Sequence, residues 1–266
     1  MKRFILGLNL LLLVLISCQL RTRSNPNEHL VMATLYQQTA AEYRALCYQA
    51  YNLGRWRLET MLDTLRSNKK PAVIVDIDET VLDNSPYEAF LIKSAQSYPS
   101  GWQEWLAAAR AQAIPGALDF LKFARQKGVD IFYVSNRKEE SKAFTLQNLQ
   151  KLGFPQANAA HLFLRTSTSS KEERRQAIQK SHVILLLFGD NLNDFAQIFE
   201  HQSVAERFKA ADQLKKQFGK RFIVLPNAMY GEWEGALYNY QWQLGAKKKS
   251  RMRLNALKPF WGKEIH

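Results

Sequence analysis

The chain has 266 residues, 46% of them apolar and 12% aromatic, with 37 Lys+Arg against 24 Asp+Glu and a formal charge of +13. That apolar share supports a packed core and excludes a disordered or fibrous chain; the length fits one large domain with helical additions. Two cysteines exclude a disulfide framework, and no C-x-x-C pair or H-E-x-x-H run offers a zinc site. The basic run Lys247-Lys248-Lys249-Ser250-Arg251-Met252-Arg253 reads equally as a solvated tail or as an attractor of anionic substrates or membrane surfaces, and no specific nucleic-acid partner is expected.

Met1-Lys2-Arg3 and the apolar run over residues 4–16 read as a secretory signal, too short for the roughly 20 residues of a membrane-spanning helix. Leu15-Ile16-Ser17-Cys18 resembles the bacterial lipobox. That resemblance implies a signal peptide over 1–17, lipid on Cys18 and a polar tether over 18–29. With Gln19 rather than Asp next, it also implies a place in the outer membrane, facing the periplasm or the cell surface. An ordinary signal peptide with a chance cysteine is the alternative.

The folded body is expected over 30–266. Val31, Leu35, Tyr43, Leu46, Ala50 and Leu53 predict one amphipathic helix, with Cys47 on or beside its apolar face as a buried thiol. Short β-branched runs at 72–75, 129–134, 183–188 and 221–225 read as strands, and 117–127, 139–152 and 171–180 read as helices between them. This alternation predicts an α/β domain with a mainly parallel sheet, whose ligands bind beyond the carboxyl ends of the strands. Asp76, Ser135 and Asp190 stand there.

Asp76-Ile77-Asp78-Glu79-Thr80 sets two carboxylates at the end of a strand, and Asp190 and Asp194 follow another. Acids at the edge of a dry sheet repel one another and lose hydration unless a cation or a proton compensates them. Four acids from two strand ends suit a hard cation, which for phosphate chemistry is Mg²⁺. A calcium-binding EF-hand starting at Asp76 fails, because Val81 and Tyr87 stand where Gly and Glu are needed.

The ordered set Asp76-x-Asp78-x-Thr80, Ser135, Lys171 and Gly189-Asp190-x-x-x-Asp194 resembles the phosphatases of the haloacid dehalogenase superfamily. The stretches 74–87 and 187–195, with 134–138 and 225–231, are similar more narrowly to the class C nonspecific acid phosphatases, the bacterial outer-membrane lipoprotein acid phosphatase family. Ser135 stands where relatives often have Thr and Leu186 where Ile or Val is usual, both conservative departures. The resemblance implies an α/β fold with a haloacid dehalogenase-like Rossmannoid parallel sheet flanked by helices, plus a mainly helical region. It implies Asp76 as nucleophile, Asp78 as general acid and base, and Ser135 and Lys171 as partners of the phosphoryl oxygens. Mg²⁺ would be held by the carboxylates of Asp76 and Asp190 and the main-chain carbonyl of Asp78, with Asp194 either binding it directly or standing behind its ligands. Trp102 and Tyr230 match positions thought to stack a base or aryl group, and Asn136 and Arg137 are counted with them as substrate-binding; packing in the core or a dimer interface is an equal reading for the two aromatics. The implied activity is hydrolysis of 5′-nucleotides, nicotinamide mononucleotide among them, and aryl phosphates for nucleoside and phosphate scavenging. A homodimer is compatible with it. The competing reading is a surface lipoprotein that binds haem or another ligand on a phosphatase scaffold.

Overall fold

The computed structural model describes residues 25–260. In chain order its elements are α1 (Val31–Thr39), α2 (Ala41–Thr64), β1 (Lys70–Val75), β2 (Leu82–Asp83), α3 (Ser85–Ser94), α4 (Trp102–Ala108), β3 (Gln112–Ala113), α5 (Ala117–Gln126), β4 (Asp130–Lys138) and α6 (Lys142–Lys151). There follow β5 (Leu162–Arg165), α7 (Glu172–Gln179), β6 (His182–Gly189), α8 (Val204–Gln213), β7 (Phe222–Val224), α9 (Glu232–Leu237) and α10 (Ala246–Ala256). The proposed signal peptide and lipid site at Cys18 lie outside the described residues. Among the described residues no helix is long and apolar enough to cross a membrane.

Five strands form a parallel sheet in the order β5-β4-β1-β6-β7, so the strand ending at Asp76 is central. Strand side chains alternate between faces, and here both faces are covered. Val73, Val75, Ile131 and Tyr133 join the core under α2 and α5, whereas Ala72, Ile74, Phe132 and Val134 join a second one on the opposite face. On α5, Ala117, Phe120, Leu121 and Ala124 recur at helical spacing and are all buried. The four strands read from the sequence are present. The edge strand β5 and the small antiparallel pair β2–β3 were not anticipated: β5 is four residues long, with burial only at alternate positions.

The predicted first helix is two. The chain turns at Ala40, where ψ is 126°, before α2 begins. No proline or glycine marks that turn, so the apolar period runs straight through it. The buried stripe of α2 is Tyr43, Cys47, Ala50, Tyr51, Gly54 and Leu58; Leu35 and Leu46, read as part of the apolar face, are 44% and 42% exposed. Cys47 is buried as expected, and burial pushes its thiol up to about 11. Tyr51 stacks on Phe188 of β6 with ring centroids 5.3 Å apart, and its hydroxyl donates to the Thr80 carbonyl at 2.6 Å. Gly54 permits this approach, because a Cβ there would stand 2.5 Å from the Phe188 ring. A helix far from the motifs thus fixes the loop that carries the first of them, Asp76-x-Asp78-x-Thr80.

Candidate active site

Where β1 ends, the chain leaves the sheet in a tight turn, with the amides of Thr80, Val81 and Leu82 donating to the Ile77 carbonyl. Glu79 takes a left-handed conformation, φ 57°, inside this turn. Its side chain is fully buried and accepts hydrogen bonds from the Asn84 amide at 2.7 Å, from Asn84 Nδ2 and from Gln37 of α1. The Tyr230 hydroxyl also donates to Glu79. Burial, then the nearby Asp78 and Asp190, push the Glu79 carboxyl well above its usual range. Sequence reading passed over Glu79, whose place between two motif residues hides that it ties the turn to Tyr230.

The turn holds Asp76 facing Asp190 and Asp194 from the end of β6, and one carboxylate oxygen from each lies within 4.8 Å of the others. Gly189 makes room for this: a Cβ at that position would collide with the Asp194 carboxylate. Asp194 Oδ2 accepts from the Asn191 amide at 3.0 Å, which closes the short turn after the strand. Asp190 accepts from Thr80 Oγ1 at 3.0 Å and from Asn227 Nδ2 at 2.9 Å. Lys171 donates to Asp76 and, at 2.6 Å, to Asp194, and its side chain is 4% exposed. Read alone, its Lys-Glu-Glu-Arg-Arg setting looks like a solvated helix start; the fold turns this one residue inward.

With every group ionised, three carboxylates and one ammonium would carry −3 + 1 = −2. Burial first, and the neighbouring acids Asp194, Asp190 and Asp78 next, raise the Asp76 carboxyl well above its ordinary value against the pull of Lys171. Burial and then Asp194 push Asp190 up to about 7, opposed by the hydrogen bonds from Asn227 and Thr80. Burial works against the Lys171 ammonium, but Asp194 and Asp76 outweigh it and raise its pKa. An all-oxygen donor set with a residual charge of −2 fits one hard divalent cation.

The carboxylate of Asp78 lies apart from this cluster. Arg137 Nε and Nη2 donate to it at 3.0 and 2.7 Å, Asn84 Nδ2 at 2.7 Å and Ser135 Oγ at 3.4 Å. The Arg137 side chain is 2% exposed and also donates to Thr145, so its guanidinium orients Asp78. Asn136 is exposed and accepts from Arg174, which also donates to the Ser135 carbonyl at 2.6 Å; Arg174, hidden in the same charged run as Lys171, was not anticipated. A cleft of about 1020 Å³ opens above these groups. Half-buried Trp102, at the start of α4, lines it with its ring 4.9 Å from that of Tyr87 and edge-on, and Tyr230 lines it too.

A family model described as haloacid dehalogenase superfamily, subfamily IIIB (acid phosphatase), matches residues 19–233. The chain belongs to that family. Subfamily IIIB membership makes it a phosphoric monoester hydrolase by family, with small phosphate esters as the implied substrates. The solved class C acid phosphatase from Bacillus anthracis superimposes with a TM-score of 0.86 at 45% identity, covering 89% of this chain and 99% of that one. The structure of that phosphatase with tungstate bound also gives a TM-score of 0.86 at 45% identity, with 88% and 98% covered. Acid phosphatase 1 of Solanum lycopersicum is 28% identical over 166 residues, which are 59% of this chain. They are 57% of the tomato protein, so the chain spans little more than half the length of that curated relative.

Proposed function

We propose that this subfamily IIIB chain is a Mg²⁺-dependent acid phosphatase that hydrolyses 5′-nucleotides, nicotinamide mononucleotide included, and aryl phosphates through an aspartyl-phosphate on Asp76. The observation that carries the reading is the cluster of Asp76, Asp190 and Asp194 around buried Lys171, with its residual charge of −2. The same cluster favours turnover over a scaffold kept only to bind a ligand. Tungstate, held by the Bacillus anthracis enzyme, is a tetrahedral oxyanion like phosphate.

Lys171 grips one oxygen of Asp76 and leaves Oδ2 without a hydrogen-bond donor among the described residues, which fixes the orientation of the attacking carboxylate. Asp76 forms the new P–O bond as the ester P–O bond breaks, and Asp78 gives its proton to the departing oxygen. Asp78 then takes a proton from the water that cleaves the acyl phosphate, which returns Asp76 and releases phosphate. Arg137 and Asn84 grip the Asp78 carboxylate, so serving the leaving oxygen requires the side chain to turn from that fork. Ser135 and Lys171 donate to the phosphoryl oxygens. Asp76, Asp190, Asp194 and the Asp78 carbonyl would hold Mg²⁺, which when bound neutralises charge on the phosphoryl group and the carboxylates. Trp102 and Tyr230 flank the leaving group, a contact worth about 1–3 kcal/mol for a stacked base.

Phosphate release from 5′-AMP, nicotinamide mononucleotide and p-nitrophenyl phosphate, with Mg²⁺ or EDTA and across pH, tests the reading. The expected result is turnover at mildly acid pH that EDTA abolishes and Mg²⁺ restores. Turnover that persists in EDTA or in Asp76→Asn overturns the mechanism. We also propose that Cys18 is lipidated and holds the enzyme at the outer membrane as a scavenger of nucleosides and phosphate; the lipobox resemblance supports this. Radiolabelled palmitate that labels the chain but not a Cys18→Ser variant is the expected outcome.

A further inference from the structure

The cleft continues past the phosphate end along α3. Asn84, which precedes the helix, bonds Asp78, and Glu88 follows four residues later. Side chains at this spacing share a helix face, about 6 Å apart along the axis. The Glu88 carboxylate lines the same cleft as Asp76 and Asp78, beside the Tyr87–Trp102 aromatic pair. It is 8% exposed and has no hydrogen bond or ion pair among the described residues.

The other charged groups at this end are matched except Glu232 of α9, which also lines the cleft and whose Oε2 is buried without a hydrogen-bond partner among the described residues. Glu234 accepts from Tyr238 at 2.6 Å and pairs with Arg253 at 3.4 Å. Lys249 sits over the rings of Tyr238 and Trp242, 5.5 and 5.6 Å from their centroids. Burial, and then Arg253, lower the pKa of His29, which favours its neutral form. Burial and the facing Glu234 push Glu88 up to about 7. A mostly desolvated carboxylate that reaches only the water of the cleft is costly to ionise, and a charged or donating ligand relieves that cost. The helix start at α3 offsets only part of it.

We propose that Glu88 reads the leaving group: this end of the cleft selects phosphate monoesters of aromatic alcohols that carry a cationic nitrogen, which its carboxylate receives as the ring lies against Trp102. The proposal rests on the phosphatase reading and deepens it. It runs against the overall +13 charge, which by itself favours the more anionic substrate.

Three esters of matched size separate the effects: tyramine O-phosphate, 4-ethylphenyl phosphate and O-phospho-3-(4-hydroxyphenyl)propionate, assayed with the full chain in detergent and Mg²⁺ at pH 8. The wild-type enzyme is expected to show kcat/KM at least tenfold higher for the ammonium ester than for the carboxylate ester, and Glu88→Gln should lower that ratio at least tenfold. A wild-type ratio near one, or a ratio unchanged in a folded Glu88→Gln variant, overturns the proposal. Calorimetry with tyramine itself needs no turnover: tyramine should bind the wild type at least tenfold more tightly than 4-ethylphenol does, and equal binding of the two overturns the proposal. Failure to hydrolyse any of the three esters when the assay is repeated at mildly acid pH, with tyramine still bound selectively at pH 8, would sink the phosphatase reading and leave the cation site standing.

Discussion

At the floor of the cleft, Asp76 and Asp194 receive Lys171 and Asp190 receives Thr80, each from a neighbouring element, whereas along the outer wall Glu88 faces the same water with no donor. The floor hangs from the ends of β1 and β6 in the middle of the sheet. The wall is assembled from the 3₁₀ turn Glu28–Leu30, α3, α9 and α10, the helical additions to that sheet. Both ends bury carboxylates, but the floor has Lys171 and a cation-sized gap in its charge, so its arrangement suits a permanent inorganic partner. The wall has carboxylates without donors, Glu88 and the Oε2 of Glu232, and no ammonium paired with them among the described residues, which suits a partner that comes and goes with each substrate.

The sharpest way to break this contrast is Asp76→Asn. Loss of the nucleophile is expected to lower kcat by more than about 10³-fold. Stability in EDTA should hold or rise, because one of three crowded carboxylates is gone. A variant that keeps wild-type turnover, or that melts earlier in EDTA, would show that the floor is not under charge strain. Lys171→Met tests the opposite half. It leaves Asp76 and Asp194 buried without their ammonium, so urea denaturation in EDTA should show a loss of about 3–5 kcal/mol. A loss below about 1 kcal/mol would mean that water or protons already compensate the cluster.

Gly189→Ala probes geometry in place of charge. The added Cβ would collide with the Asp194 carboxylate, so Asp194 must move from the cluster while Asp76, Asp190 and Lys171 keep their side chains. Second-layer changes at metal sites typically lower affinity or activity about 10–100-fold, and a Mg²⁺ titration of activity should shift to higher concentration by that factor. An unshifted titration would remove Asp194 from the metal's surroundings.

How much of this was legible follows from the same contrast. Asp76, Asp78, Lys171, Asp190 and Asp194 lie at or just beyond element ends in short motifs and Ser135 lies in the last half of β4, which runs on to Lys138, so local order exposes them, and the central strands read as plain apolar runs. The wall has no such signature: Asn84, Glu88, Glu234 and Arg253 come from three helical regions far apart in sequence, and only packing brings them together. The same holds for Gln37, a buried polar residue on α1 that donates to Asp83 at 2.7 Å and marks where that helix meets the active-site turn. Helical periodicity recognised an apolar stripe but could not show that its true centre is Cys47 and Tyr51. That choice belongs to Phe188, which is 137 residues away from Tyr51 and stacks upon it.

The smallest predicted effect concerns the wall alone. Glu88 titrates near 7 in the folded protein against 4.5 as the ordinary value, so between those pH values the folded state holds a proton that the unfolded chain has lost. The contribution of Glu88 to stability is therefore full below about pH 4.5 and is lost as pH rises to 7. Glu88→Gln has no proton to lose. Subtracting its urea unfolding free energy from that of the wild type at pH 4 and again at pH 8 cancels every other titrating group. The variant should gain about 1–3 kcal/mol relative to the wild type between the two pH values. Saturating tyramine at pH 8 should cancel that gain, because an ammonium beside Glu88 stabilises only the protein that carries the carboxylate. A difference that does not change with pH would mean that Glu88 is already answered within the fold, and the wall would then be built on the same terms as the floor.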